Sequence, residues 1–176
     1  MATGRLDEAE AEYAAVERTV RHPRPADTRD LHRYSQHLFH SLGELWLRRG
    51  DSTRALAYAG ECLAIAEPQG HRKNIVKGRR LRGEVFMALG RLDEAERDLE
   101  AALDIARAVG NPPQLWKTLA AMGALRRSQH RGDDARAAYR DALAVIDDVA
   151  RNLNDESLTR TCLESAHVQE FRRAAE

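Results

Sequence analysis

The stretch GRLDEAE at residues 4–10 recurs letter for letter at residues 90–96. Looser copies are GDSTRAL at residues 50–56 and HRGDDAR at residues 130–136. Each copy has an alanine in the same place: Ala9, Ala55, Ala95 and Ala135. These alanines lie 46, 40 and 40 residues apart. Self-similarity at a nearly fixed period of this size indicates an architecture built from repeats.

Each turn is followed by apolar residues at spacings of three and four, which place them on one face of a helix. In the third copy these residues are Leu92, Ala95, Leu99, Ala102, Leu103 and Ala106. No segment alternates with period two, the pattern of a half-buried strand. The sequence therefore predicts an all-α fold.

A second helix is predicted upstream of each full turn, with a glycine about seven residues before the turn: Gly43, Gly83 and Gly123. Glycine inside a helix costs roughly 1 kcal/mol relative to alanine, so its recurrence needs a structural reason. We predict that the paired helix approaches closely there. The alanine after the turn would make the same contact from the other side, where added volume overpacks the interface.

Composition excludes several classes of protein. The 176 residues carry 28 Lys+Arg and 28 Asp+Glu, which argues against a non-specific nucleic-acid binder or a polybasic membrane binder. Cys62 and Cys162 lie 100 residues apart, so no disulfide scaffold is expected. Acidic residues occupy the N-terminal region where a signal peptide needs an apolar stretch, and no apolar run approaches eighteen residues. We expect a soluble, cytoplasmic protein without nucleic-acid or membrane partners.

Helices are predicted near 6–21, 28–49, 52–67, 72–89, 92–109, 112–130, 133–151 and 156–174. Pro23 and Pro25 break the chain after the first helix, and Asp27 or Thr28 could cap the second. The domain prediction is a solenoid over 1–151, followed by a single capping helix within 152–176. The solenoid comprises a half repeat (4–22) and full repeats at about 28–69, 71–110 and 111–151.

A first helix with a bulky residue such as Trp46 or Phe86, a Gly-Asp or Gly-Arg turn, and an Ala-led second helix resemble the tetratricopeptide repeat. The resemblance covers roughly residues 4–151. It implies a right-handed α-solenoid of antiparallel helix pairs, here with a period of about 40 residues instead of the usual ~34. Arg126 stands where the earlier repeats have Trp46 and Phe86, so packing in the last repeat is expected to differ.

Three further stretches resemble the C-terminal repeat regions of bacterial adenylate/guanylate-cyclase-like and LuxR-type regulatory ATPases. They are KGRRLRGE at 77–84, GNPPQLWK at 110–117 and LTRTCL at 158–163. This resemblance implies an alternative function: a sensory or regulatory segment of a larger signalling protein whose catalytic module lies outside this chain. It carries no cyclase or ATPase activity onto these residues.

No catalytic motif is present, because GxxxxGK[ST], GxGxxG, GxSxG and HExxH are all missing. His37, His40 and Glu44 share a helical face and could admit a divalent metal. A solvated polar face is the favoured interpretation, so no metal and no cofactor are expected. Cys62 occupies an inward position among small residues, which favours a buried, inert thiol. The chain is expected not to be an enzyme.

In tetratricopeptide repeats the first helices line a concave groove. The resemblance implies a groove lined by His37, His40, Ser41, Glu44, Arg48, Lys77, Arg80, Glu84, Lys117 and Arg127. Five of these are fixed cations and two are anions, so the expected groove is net positive. The natural ligand is an acidic peptide, a peptide C-terminal carboxylate or a partner helix. Ordinary solvated charge remains an open alternative.

The half repeat at the N-terminus lacks a first helix in this sequence. Helix 6–21 is therefore expected to expose the face that the missing helix would cover, including Leu6, Tyr13 and Val16. Two explanations stay open. The chain is a piece of a longer solenoid, or a second copy buries this face in a homodimer.

Overall fold

A computed structural model describes residues 2–22 and 31–176, with side chains over 5–22 and 34–176. Over these ranges the chain forms α-helices and no strand, which confirms the predicted all-α class. The helices are α1 (Ala2–Arg21), α2 (Leu31–Arg48), α3 (Ser52–Ala66), α4 (Arg72–Ala88), α5 (Leu92–Val109), α6 (Pro112–Ser128), α7 (Gly132–Arg151), α8 (Glu156–Leu163) and α9 (Ala166–Ala175). None of these helices is long and apolar enough to cross a membrane.

Successive helices pack in pairs along a row. α2 packs with α3, α4 with α5 and α6 with α7, and the pairs join through contacts of α3 with α4 and of α5 with α6. The first helices also meet, since α2 contacts α4 and α4 contacts α6. Two residues that are 40 positions apart in the sequence, one on α2 and one on α4 for example, therefore lie on first helices that contact each other. The predicted break at Pro23 and Pro25 and the predicted cap at Asp27 or Thr28 lie outside the described residues.

The turns inside the three full pairs share one backbone conformation. Gly50, Gly90 and His130 have positive φ angles of 79°, 71° and 60°. Glycine enters this left-handed region at little cost, whereas a residue with a Cβ is strained there. The residue after each of them, Asp51, Arg91 or Arg131, donates its backbone N–H to the carbonyl oxygen of the residue five positions before it, at 2.8–2.9 Å. His130 thus adopts the same left-handed turn conformation as the two glycines, although its Cβ makes that conformation unfavourable.

The recurring glycines lie at close contacts between helices. A Cβ added at Gly83 would lie 2.7 Å from Cγ of Leu99 and 3.3 Å from the carbonyl oxygen of Ala95. At Gly123 it would lie 2.8 Å from the Tyr139 ring, and at Gly43 it would meet Leu81. The alanines after the turns, Ala55, Ala95 and Ala135, are all buried. The predicted close approach of the paired helix is confirmed at Gly83 and Gly123, whereas the nearest side chain at Gly43, Leu81, belongs to α4 of the next pair.

The core runs along the row between the helices. Leu81, Leu99 and Leu125 are fully buried, one in each of three successive helices α4, α5 and α6. Cys62 is also fully buried, and burial raises the pKa of its thiol to about 11. The thiol is therefore protonated at neutral pH, in agreement with the predicted inert cysteine.

The face of α1 that was expected to be open is mostly covered. Leu6 and Tyr13 are half-buried against the apolar cluster of α2 and α3, and only Val16 of the three is widely exposed, at 48%. A polar contact also holds this helix in place, because Arg49, just after the end of α2, pairs with Asp7 at 2.5 Å. The expectation that Leu6 and Tyr13 are exposed is wrong, because α1 turns this face toward the first full pair.

The C-terminal segment contains two helices where one, over 156–174, was predicted. Ser165 has a ψ of 145°, an extended conformation that ends α8 and lets the chain turn into α9. The side chain of Gln169 donates to the carbonyl of Leu163 at 3.0 Å and fixes this corner. α9 then packs on α7, with Val168 buried.

Arg126 shows how a charged residue replaces an aromatic one between repeats. In the first two full repeats Trp46 lies beneath Arg54, at 4.1 Å from the guanidinium carbon to the ring centre, and Phe86 lies beneath Arg91, at 4.6 Å. In the last repeat the arginine occupies the inner position itself and pairs with Glu96 of α5. An ion pair thus stands in for a cation–π contact at the same site.

The close approach at Gly83 can be tested against Gly60, a helical glycine in α3. No heavy atom of the described residues lies within 4 Å of a Cβ added at Gly60. Both Gly→Ala changes gain similar helix propensity, but only Gly83→Ala presses on buried Leu99. We expect Gly83→Ala to have a free energy of unfolding about 1–3 kcal/mol below that of Gly60→Ala, measured by urea denaturation. Equal stabilities would contradict the close approach.

Candidate binding groove

Three positions on the first helices recur at steps of 40 residues and form rows across α2, α4 and α6. The first row is His37, Lys77 and Lys117; the second is His40, Arg80 and Ala120; the third is Glu44, Glu84 and Ala124. Within each helix these positions are three and four residues apart, so they share one face. A hollow of about 550 Å³ lies on this face, lined by residues of α2, α4, α6, α7 and α9. We call this hollow the groove.

Six of the ten predicted site residues line the groove: Glu44, Arg48, Arg80, Glu84, Lys117 and Arg127. Lys77 lies beside it, with its Nζ 3.3 Å from Nδ1 of His37. His37 itself lines a second cavity of about 690 Å³, together with Arg72 and Lys73 of the start of α4. Ser41 is half-buried and, within the described part of the chain, lines neither of these two cavities.

Two predicted groove residues, Arg80 and His40, are buried, so the open alternative of ordinary solvated side chains does not hold for them. Arg80 is 5% exposed and His40 is 7% exposed, because α2, α4 and α6 pack closely around them. Nη1 of Arg80 donates to Oε1 of Gln114 on α6 at 3.0 Å, and its Nε lies 3.9 Å from Oε1 of Glu84. Burial raises the pKa of Glu84, and Arg80 opposes the rise. Arg80 therefore joins two repeats as well as lining the groove.

The potential around His40 is positive. Burial, helped by the charges of Arg80, Lys77, Lys117 and His37, lowers the pKa of His40 to about 3. His40 is therefore neutral at pH 7. Burial, with Arg80 as the next cause, also lowers the pKa of Lys77. Cations that lower the pKa of a neighbouring basic group create a place where an anion is stabilised.

The geometry gives little support to the metal site considered for this face. Nδ1 of His40 lies 3.7 Å from Oε2 of Glu44. Over the described part of the chain, no group of three or more His, Cys, Asp or Glu side chains is placed to hold a metal ion.

Several groove residues were not predicted from the sequence. The aromatic ones are Trp116, Tyr139 and Phe171, which come from α6, α7 and α9. The ring centres of Trp116 and Phe171 lie 5.9 Å apart, and those of Tyr139 and Phe171 lie 5.8 Å apart. Trp116 could have been found from its place one residue before Lys117. Phe171 could not, because its position depends on the break at Ser165.

Comparisons with known proteins agree with this architecture. Residues 78–148, from within α4 to within α7, match the tetratricopeptide repeat family. The crystal structure of BtubC (BKLC) from P. vanneervenii is similar in fold, with a TM-score of 0.67 and 18% sequence identity. The similarity covers 99% of this chain and 68% of that chain, and at this identity it concerns the fold alone. A comparison with curated proteins gave no match. The resemblance to bacterial regulatory ATPases stays a prediction.

The buried, neutral state of His40 predicts a specific dependence of stability on pH. The unfolded histidine takes up a proton near its ordinary pKa, whereas the folded one does so only near pH 3. The unfolded state therefore binds more protons as the pH falls below about 6.5, and the folded state loses stability.

We expect the wild-type protein to lose about 2 kcal/mol more stability than His40→Gln between about pH 7 and about pH 5. Urea denaturation at each pH measures this difference, and His22→Gln, at an exposed histidine, is the matched control. Parallel pH profiles for the wild-type protein and His40→Gln would show that His40 is not held neutral by the fold.

Proposed function

We propose that the protein is a non-catalytic scaffold that binds an acidic peptide or an acidic partner helix in the groove. Tetratricopeptide repeats are in general protein-interaction modules, and residues 78–148 match that family. The observation that carries the proposal is the surplus of positive charge on the face formed by α2, α4 and α6. A cytoplasmic location and a homodimer through α1 remain predictions beside it.

The charges on this face support an anionic ligand. Four fixed cations line the groove, Arg48, Arg80, Lys117 and Arg127, against the carboxylates of Glu44, Glu84 and Glu170. Lys77 adds a fifth cation on the same face, at the position on α4 that Lys117 holds on α6. Within the described residues, Arg80 lies within 4 Å of a carboxylate oxygen, whereas Arg48, Lys117 and Arg127 have none that close. These three cations are therefore available to the carboxylates of a partner, at the low desolvation cost of exposed groups.

The repeat geometry supports binding without large rearrangement. Lys77 and Lys117 hold equivalent positions on α4 and α6, which pack against each other. Neighbouring packed helices are about 8–10 Å apart, so the two ammonium groups can meet carboxylates about 10 Å apart on a partner. Such a separation is about two turns along a helix, or about three residues of extended chain.

Charge reversal tests the proposal if Arg80 is left intact, because the buried guanidinium also bridges α4 and α6. We expect Lys77→Glu/Lys117→Glu to bind fluorescein-labelled octaglutamate roughly tenfold more weakly than the wild-type protein in about 50 mM salt. Fluorescence anisotropy measures the affinity, and circular dichroism checks that the helices remain. Because exposed charges are screened, the difference should shrink in about 500 mM salt.

The matched control is Arg97→Glu/Arg107→Glu, which makes the same change of net charge on exposed positions of α5 outside the groove. This variant should bind octaglutamate nearly as well as the wild-type protein. If both double variants lose the same affinity, binding follows net charge and the groove is not the site. No binding of octaglutamate to the wild-type protein at low salt would also remove the proposal.

A further inference from the structure

The groove changes character at its third repeat. Positions that hold His40 and Arg80 in the first two full repeats hold Ala120 in the third. Positions that hold Glu44 and Glu84 likewise hold Ala124. Each replacement removes a long polar side chain from the same face of the helix row. At these two positions, α2 and α4 therefore present long polar side chains, whereas α6 presents small alanines that leave room in the groove.

Aromatic rings enclose this hollow end. Trp116 precedes Lys117 on α6, and Phe171 of α9 lies against both Trp116 and Tyr139, with ring centres 5.9 and 5.8 Å away. Met87 of α4 also lines the groove. The rings of Trp116 and Phe171 are only half-buried, so apolar surface remains uncovered here. Such surface, recessed and next to small alanines, is suited to receive an apolar side chain.

Cations stand beside the same recess. Lys117 and Arg127 are exposed groove residues of α6, and neither lies within 4 Å of a carboxylate oxygen of the described residues. Burial raises the pKa of the Tyr139 phenol, Arg127 lowers it, and Glu170 raises it further. The phenol at the floor of the recess therefore lies within electrostatic reach of Arg127. Apolar surface and positive charge are adjacent.

Building on the proposed function, we propose that the end of the groove formed by α6, α7 and α9 is an anchor pocket. It takes one bulky apolar side chain of an acidic partner segment, while carboxylates next to that side chain bind Lys117 and Arg127. The groove then recognises the negative charge of the partner, and the pocket in addition recognises the size and shape of one apolar side chain. Binding then requires a segment in which a large apolar residue is flanked by acidic ones.

Two fluorescein-labelled peptides of nine residues test the pocket. Each has four glutamates on either side of a central residue, which is phenylalanine in one peptide and alanine in the other. We expect the phenylalanine peptide to bind the wild-type protein about tenfold more tightly, because its side chain is removed from water. Equal binding of both peptides would overturn the pocket and leave the acidic groove standing. If neither peptide binds, the proposed function falls and the pocket with it.

Filling the recess should remove the preference. We expect Ala124→Leu to bind both peptides with the affinity that the wild-type protein has for the alanine peptide, because the added side chain occupies the hollow. Ala137→Leu makes the same change on an exposed position of α7 outside the groove and should keep the tenfold preference. A preference that survives Ala124→Leu, with the helical signal intact, would place the anchor elsewhere and overturn the pocket.

A spectroscopic measurement does not depend on the folding of Ala124→Leu. In the Trp46→Phe protein, Trp116 is the one remaining tryptophan of the chain. Its emission should shift on addition of the unlabelled phenylalanine peptide and stay nearly constant with the alanine peptide. The same response to both peptides would show that the central side chain does not reach Trp116, against the pocket.

Discussion

The close approach of paired helices at Gly83 and Gly123 is the constraint on which the rest of the structure depends. Because a Cβ at Gly83 or Gly123 would lie within 3 Å of a buried side chain, the register of those pairs is fixed to one residue. A fixed register within pairs, repeated at a 40-residue step, also fixes the register between neighbouring first helices. Side chains that look unrelated in the sequence, such as Lys77 and Lys117, thereby become neighbours on one surface.

Tight packing also decides which of these side chains meet solvent. Where α2, α4 and α6 close on one another, Arg80 and His40 lose contact with water, and their charge states respond in different ways. Arg80 keeps a polar partner in Gln114 of the next repeat. His40 gives up its proton instead, since three neighbouring cations and burial all favour the neutral ring. The same arrangement holds the repeats together and makes the surface electropositive.

The sequence alone predicts the parts of the structure that local patterns determine. The glycine before each turn, the alanine after it and the helical spacing of apolar residues are enough for the helix pairs and their contacts. The burial of Arg80 could not be predicted, because it depends on Gln114, which lies 34 residues away. The two C-terminal helices could not be predicted either, since Ser165 is compatible with a continuous helix. After this break Phe171 packs on Tyr139, a tertiary contact that the local sequence does not specify.

The break at Ser165 gives α9 two roles in one position. α9 packs on α7 and contributes Val168 and Phe171 to that contact. A continuous helix over 156–174 could not have made the corner that brings Phe171 back to Trp116 of α6. Phe171, which packs on α7, therefore also lines the groove. Of the three full repeats, only the last has small side chains, Ala120 and Ala124, at these two positions. The two ends of the proposed site would therefore recognise different features of a partner. The part formed by α2 and α4 would recognise the partner's negative charge, and the part where α9 meets α6 would recognise the shape of its apolar side chain.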